Sequence, residues 1–173
     1  IKRLAGLVGD LKTLTYIEWN SAPLNKSVFD LGLLLKTTAQ EFSATAAKKG
    51  IVLKLNLIES PIKADYDRLK QVFINILSNA VQYTDSGSVN ITLIKTQKQQ
   101  SNYEIAVSDT GIGISEEALP HIFERFYRAD KSRSRNTGGS GIGLAVAAAI
   151  VSAHNGTIKA VSGKTGTVFT ITL

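Results

Sequence analysis

Residues 136–156 read NTGGSGIGLAVAAAIVSAHNG. Gly138, Gly139, Gly141 and Gly143 crowd together and run straight into an alanine-rich stretch from Leu144 to His154. Glycine permits positive φ and close backbone approach, and Asn155-Gly156 is a helix stop signal. The stretch therefore predicts a glycine loop that feeds a helix. Free N–H groups and the positive dipole end make such a helix start an anion site, most often for phosphate. Spacing excludes two familiar phosphate loops. A dinucleotide fingerprint needs G-x-G-x-x-G after a strand, whereas Gly139, Gly141 and Gly143 give G-x-G-x-G behind an arginine-rich loop. A Walker A motif ending at Gly163-Lys164-Thr165 would need glycine where Ile158 stands. On this stretch alone, tight packing or a hinge explains the glycines as well as a phosphate does.

Just upstream stand Arg125, Arg128, Lys131, Arg133 and Arg135 against Asp130 alone, so much of the net charge of +6 sits in one loop. No aromatic-interleaved stacking surface or helix-turn-helix pattern accompanies it, so nucleic acid is not the expected partner. Next to a phosphate cradle, the loop reads as a clamp on phosphates. The 173 residues fit one domain with an appendage, and 43% hydrophobic content supports a real core. No apolar run approaches the roughly 18 residues of a membrane span, and no signal peptide is visible. Cysteine is absent, which excludes disulfides and thiolate metal sites, and only His121 and His154 could offer imidazole. The chain contains no methionine and reads as a fragment of something longer.

Toward the N-terminus, Leu4, Leu7, Leu11 and Leu14 recur at helical spacing with a coiled-coil-like seam, predicting a helix over 1–19 and a linker over 20–27 that breaks at Pro23. From Val28 the pattern alternates. Asp30 can cap a helix running to about Lys49 and closed by Gly50, IVLKLNL reads as a strand, and Asp65 can cap a second helix to about Tyr83. Strands follow near 88–96 and 103–108, then a short helix near 115–123, the basic loop, the glycine helix, and strands near 157–161 and 167–173 joined by the turn SGKTG. Five strands and three main helices predict an α/β two-layer sandwich with a mixed five-stranded sheet.

Two elements carry polar groups where a core is expected. In DRLKQVFINILSNAVQYT the apolar stripe Leu69, Val72, Phe73, Ile76, Leu77 and Ala80 is flanked by Asn75 and Asn79, four apart on one face, with Gln82 and Tyr83 a turn further. In YEIAVSD, Asp109 shares the parity of Tyr103, Ile105 and Val107 and so points into the core. A buried carboxylate needs a donor, from the protein or from a ligand such as an exocyclic amine. The glycines of TGIGI that follow let a ligand approach the backbone.

The ordered set NILSNAVQYT, DTGIGI, IFERFYRAD and GGSGIGLAVA resembles the asparagine box, first glycine box, phenylalanine box and second glycine box of sensor histidine kinases of two-component systems. The resemblance covers 28–173, GTVFTITL resembles the family's closing strand, and the leucine helix with LTYIEW resembles the end of the second helix of its dimerisation hairpin. It implies the Bergerat-type ATP-binding fold of the GHKL superfamily, shared with gyrase, the heat-shock chaperone ATPases and the mismatch-repair ATPases, with an ATP lid near 114–140. Carried over by position, it implies that Asp109 accepts the adenine amino hydrogen, Asn79 binds Mg²⁺, Asn75 lines the phosphate side and Tyr83 packs by the base. It sets Gly111 and Gly113 beneath the base and assigns Ile114, Leu144 and Thr167 to the ATP site. Gly139, Gly141 and Gly143 would hinge the lid and offer N–H groups to phosphates. Arg128, Lys131, Arg133 and Arg135 are the lid cations. Phe123 and Phe126 are expected to anchor the lid or meet the hairpin rather than touch ATP. The family usually has lysine or arginine where this chain has Gln82, so one cationic phosphate contact is expected to be missing or supplied by the lid.

No family-type acceptor motif is present, and His121 and His154 read as structural. The resemblance thus implies Mg-ATP binding and γ-phosphoryl transfer to a histidine on a dimerisation hairpin, then to an aspartate of a response-regulator receiver domain. The parent is expected to be homodimeric, with this domain cytoplasmic and with a possible anchor in an inner or plasma membrane. A non-catalytic nucleotide-binding regulatory module is the alternative. A serine-phosphorylating relative fits the leucine helix poorly, and a gyrase-type ATPase would need an acid near Asn75, where Lys70, Gln71 and Val72 stand.

Overall fold

A computed structural model describes residues 23–96, 103–128 and 141–173. The leucine helix, Lys131, Arg133, Arg135 and Gly139 lie outside the described residues. The first strand, β1 (Lys26–Asp30), begins two residues inside the stretch read as a linker and leads into α1 (Leu31–Glu41), whose N-cap Asp30 accepts from the Leu33 N–H at 2.9 Å. After Phe42 comes the short helix α2 (Ser43–Lys48), closed by Gly50 at φ 67°. The single helix expected up to Lys49 is thus two, because both the Phe42 and the Lys49 N–H groups turn back three residues in tight end-of-helix bonds.

Two strands follow, β2 (Ile51–Asn56) and β3 (Pro61–Asp65), then the long helix α3 (Tyr66–Tyr83). Asp65 caps α3 as expected, accepting from the Arg68 N–H at 3.1 Å. Next are β4 (Gly87–Lys95), β5 (Tyr103–Asp109), a 3₁₀ turn (Leu119–His121), α4 (Gly143–Ala153), β6 (Thr157–Gly163) and β7 (Gly166–Thr172). The short helix expected at 115–123 is reduced to that turn.

The main sheet has the order β2-β4-β5-β7-β6, with β2 parallel to β4 and the other pairs antiparallel. A separate two-stranded sheet pairs β1 with β3, Phe29 opposite Ile62. Alternation along β4, β5 and β7 sends Val89, Ile91, Leu93, Ile105, Val107, Phe169 and Ile171 inward, all buried. They join one core with Leu69, Val72, Phe73, Ile76 and Leu77 of α3 and Val146, Ile150 and Val151 of α4. The opposite parity, including Asn90, Ser108, Thr170 and the exposed Val161, faces away from this core. The result is a two-layer α/β sandwich with a mixed five-stranded sheet.

Candidate nucleotide-binding site

Between α3, the end of β5, the Gly111–Ser115 loop, β7 and the start of α4 lies a cavity of about 450 Å³. Asn75, Asn79 and Tyr83 line it from α3, Asp109, Gly113 and Ile114 from β5 and its loop, Gly141, Gly143 and Leu144 from the start of α4, and Thr167 from β7. Arg128 lines it too. Gly111 does not, and acts from just behind: its N–H donates to Asp109 Oδ1 at 2.9 Å. The wall also holds residues the sequence reading did not assign: Ser78, Ile112, Ser115, Ile122, Tyr127 and Phe169. Their apolar side chains mark Ile122 and Phe169 as ordinary core residues in a sequence, and only the tertiary fold brings them to a cavity.

Asp109 ends β5 at 8% exposure, on the inward face that its parity predicts. Gly111 and Thr167 both donate their backbone N–H to the same oxygen, Oδ1, at 2.9 and 3.3 Å, so the second oxygen is left for a ligand donor. Burial pushes the Asp109 carboxyl up from its ordinary range, and the two backbone N–H bonds pull part of the way back. The site therefore holds an acceptor that gains from any further donor brought to it.

The loop after Asp109 is fixed from two sides. On one, the Ile112 N–H donates to the Tyr83 carbonyl at 3.2 Å, and a Cβ on Gly111 would collide with that same carbonyl. On the other, Ser162 Oγ accepts from the Ile114 N–H at 2.8 Å and lies 3.0 Å from the Gly166 carbonyl and 2.8 Å from Thr167 Oγ1. Gly113 lies at φ 71°, and a Cβ on it would collide with the Gly163 carbonyl, so the position is closed to any side chain on both counts. Ser162 is a residue that sequence reasoning missed, since a serine at the start of the expected turn SGKTG gives no signal of its own.

Across the cavity, α4 starts without a side-chain cap among the described residues, and its first turn, with Gly143 and Leu144 at the cavity wall, turns the positive end of the helix dipole toward an anion. Asn75 Nδ2 donates to the Gly143 carbonyl at 2.8 Å, so this amide ties the start of α4 to α3 as well as lining the cavity. Phe126 holds φ 61° at 64% exposure, and its N–H donates to the Gly141 carbonyl at 2.9 Å. A non-glycine residue in that region is strained, and this bond holds the chain after the 3₁₀ turn against the residue that leads into α4. Phe123 stacks edge-on against Phe169 at 6.4 Å, and neither Phe123 nor Phe126 lines the cavity.

Asn79 makes no hydrogen bond among the described residues, which leaves its amide oxygen to a ligand or cation. No group of three His, Cys, Asp or Glu side chains could hold a metal among the described residues. One amide oxygen fits a magnesium ion that takes most of its ligands from phosphates and water. Gln82 does not line the cavity, and its Nε2 is buried without a partner among the described residues. His154 is structural: its Nδ1–H faces the Ile150 carbonyl at 2.8 Å and its Nε2 accepts from the Asp65 N–H at 3.1 Å. His121 Nδ1 pairs with the exposed Glu124 at 2.6 Å.

Residues 64–173 match the family described as histidine kinase-, DNA gyrase B- and HSP90-like ATPase. The signal transduction histidine-protein kinase BaeS of Escherichia coli K12 is 38% identical over 158 residues, 91% of this chain and 33% of that protein. Among solved structures, the Acinetobacter baumannii histidine kinase AdeS superposes with TM-score 0.81 at 29% identity over 98% of this chain and 77% of that one. Full-length ShkA, solved in complex with AMPPNP, gives TM-score 0.82 at 28% identity over 98% of this chain and 35% of that one. The chain spans 33% to 42% of the length of the curated relatives it matches. It belongs to the histidine kinase-, gyrase- and HSP90-like ATPases, and its relatives within that family are sensor histidine kinases.

Proposed function

We propose that the chain binds Mg-ATP in this cavity and delivers the γ-phosphoryl group to a histidine on a dimerisation hairpin, from which it passes to an aspartate of a response-regulator receiver domain. The observation that carries this reading is Asp109, whose carboxyl is buried, held on one oxygen by two backbone donors and left with the other for the ligand. An adenine amino group supplies the missing donor, whereas guanine presents a carbonyl oxygen at the same place and would meet a carboxylate with an acceptor. Tyr83, Ile114 and Phe169 enclose the base. The phosphates extend toward the first turn of α4 and Arg128, with Lys131, Arg133 and Arg135 proposed as further cations of the lid. Asn79 would give an amide oxygen to the magnesium ion, which neutralises phosphate charge when bound. The domain's work is to select, orient and screen charge, since phosphoryl transfer asks a protein for positioning above all. In this reading the parent is a homodimeric sensor, and the hairpin and receiver domain are its partners.

Titration calorimetry of the chain with ATP and GTP, each with and without Mg²⁺, tests the binding half, and magnesium-assisted selectivity for ATP is the expected result. Mixing the chain with a separately made hairpin and following acid-labile, base-stable phosphate tests transfer. A second reading, a nucleotide-binding regulatory module that transfers nothing, draws on Gln82, which puts a buried amide where the family usually has a cation. Selective binding without phosphohistidine under activating conditions would favour it.

A further inference from the structure

Four successive carbonyls leave the end of α3, and three of them meet one side chain. Lys49 Nζ donates to the carbonyls of Val81, Gln82 and Thr84 at 2.8, 2.9 and 2.6 Å. The fourth, Tyr83, accepts from the Ile112 N–H. The last carbonyls of a helix have no partner within it and carry the negative end of its dipole. An ammonium group is a compact charge with three donors, and here it finds three acceptors. Lys49 is itself fixed, as the residue that closes α2 ahead of the Gly50 turn.

Lys49 does not line the cavity, yet its hold reaches the cavity in short steps. Fixing the carbonyls on both sides of Tyr83 fixes the direction of the Tyr83 carbonyl between them. That carbonyl sets the position of Ile112 and leaves no room for a side chain on Gly111, whose N–H in turn holds Asp109 Oδ1. We propose that Lys49 is a positioning residue of the nucleotide site, its ammonium locking the end of α3 so that Tyr83 and the Gly111–Gly113 loop present Asp109 at the depth the base requires. The proposal rests on the nucleotide reading of the cavity, and the test separates the two.

The full chain, labelled with ¹⁵N and ¹³C, is compared with Lys49→Met and Lys49→Cys. In the unaltered chain the Lys49 ammonium signal is expected to survive at neutral pH with couplings to the carbonyl carbons of 81, 82 and 84. Lys49→Met should speed amide exchange at Ile112 about tenfold without a matching change at Ile105 and Val107, and should weaken ATP binding about tenfold, as loss of charge-assisted hydrogen bonds predicts. Because the chain has no cysteine of its own, aminoethylation of the thiol in Lys49→Cys rebuilds a lysine-like side chain at that position alone, and should restore both properties. Absence of ATP binding in the unaltered chain would defeat the nucleotide reading before any substitution is considered. Tight ATP binding by Lys49→Met with unchanged Ile112 exchange would overturn the role of Lys49 alone. If both variants fail to fold, the unaltered chain still decides: a Lys49 ammonium that exchanges freely with water, without carbonyl couplings, overturns the proposal, and one whose signal moves with that of Ile112 on ADP addition supports it.

Discussion

Asp109 is a carboxylate whose burial disfavours its charge, against two backbone N–H groups that favour it. Its value in the folded chain is raised by burial, so the stability it contributes is complete below its unfolded value of about 3.9 and is lost as pH rises through the folded value. Asp109→Asn should therefore leave the nucleotide-free chain at least as heat-stable at pH 7, while weakening ATP binding roughly tenfold to a hundredfold and narrowing the preference over GTP. Calorimetry with both nucleotides and a melting scan check the two halves, and a large loss of melting temperature would mean that Asp109 is mainly structural. Asn79→Ala should lessen the effect of Mg²⁺ on ATP affinity and leave the apo chain folded. His154 has the opposite pH sense. Burial, the dominant cause, lowers it from its ordinary range, with Lys26 adding to the effect and Ile150 and Asp65 opposing it. The unfolded chain binds the proton first as pH falls, so the stability given by the neutral ring is complete above about pH 6.5 and is lost as pH falls through the folded value. Melting temperatures of the unaltered chain and His154→Gln should therefore converge on acidification, and parallel curves would remove His154 from the account.

At the scale of elements, the loop from Gly111 to Ser115 is a clamped strip rather than a free turn. Ser162→Ala would leave the Ile114 N–H without its partner, at a cost of about 1–3 kcal/mol. Its expected signature is weaker ATP binding with faster amide exchange at Ile114 and little change in the core strands; loss of binding with uniform exchange would point to general destabilisation instead. Much of this level is legible in the sequence. Asp65 and the stripe from Leu69 to Ala80 announce α3, and the parity of YEIAVSD turns Asp109 inward. What is not legible arises between elements. β1 and β3 are five residues each, and they pair across 30 or more residues of chain, so neither carries a local pattern strong enough to declare itself. Phe42 breaks a helix whose composition would continue through it. Lys49 and Ser162 matter through carbonyls and N–H groups of distant segments, which no spacing rule can see.

For the whole molecule, the cavity draws on α3, β5, β7 and α4, so a ligand bound there ties both layers together. A nucleotide present at a hundred times its dissociation constant stabilises the folded state by about 2.7 kcal/mol. Mg-ATP should thus raise the melting temperature by several degrees where Mg-GTP at equal concentration does not, and equal shifts would remove the claim of adenine selectivity. The face of the sheet turned away from the core has a different use. Val161 stands there at 70% exposure, paired with Val168 on the face of the sheet opposite Thr167 and Phe169 of the cavity wall. Val161→Cys would give the chain its one thiol, and Trp19 is already its one tryptophan. A fluorescent acceptor on that thiol, excited by energy transfer from the indole, would turn the chain into its own ruler for the distance from residue 19 to the sheet, with and without nucleotide.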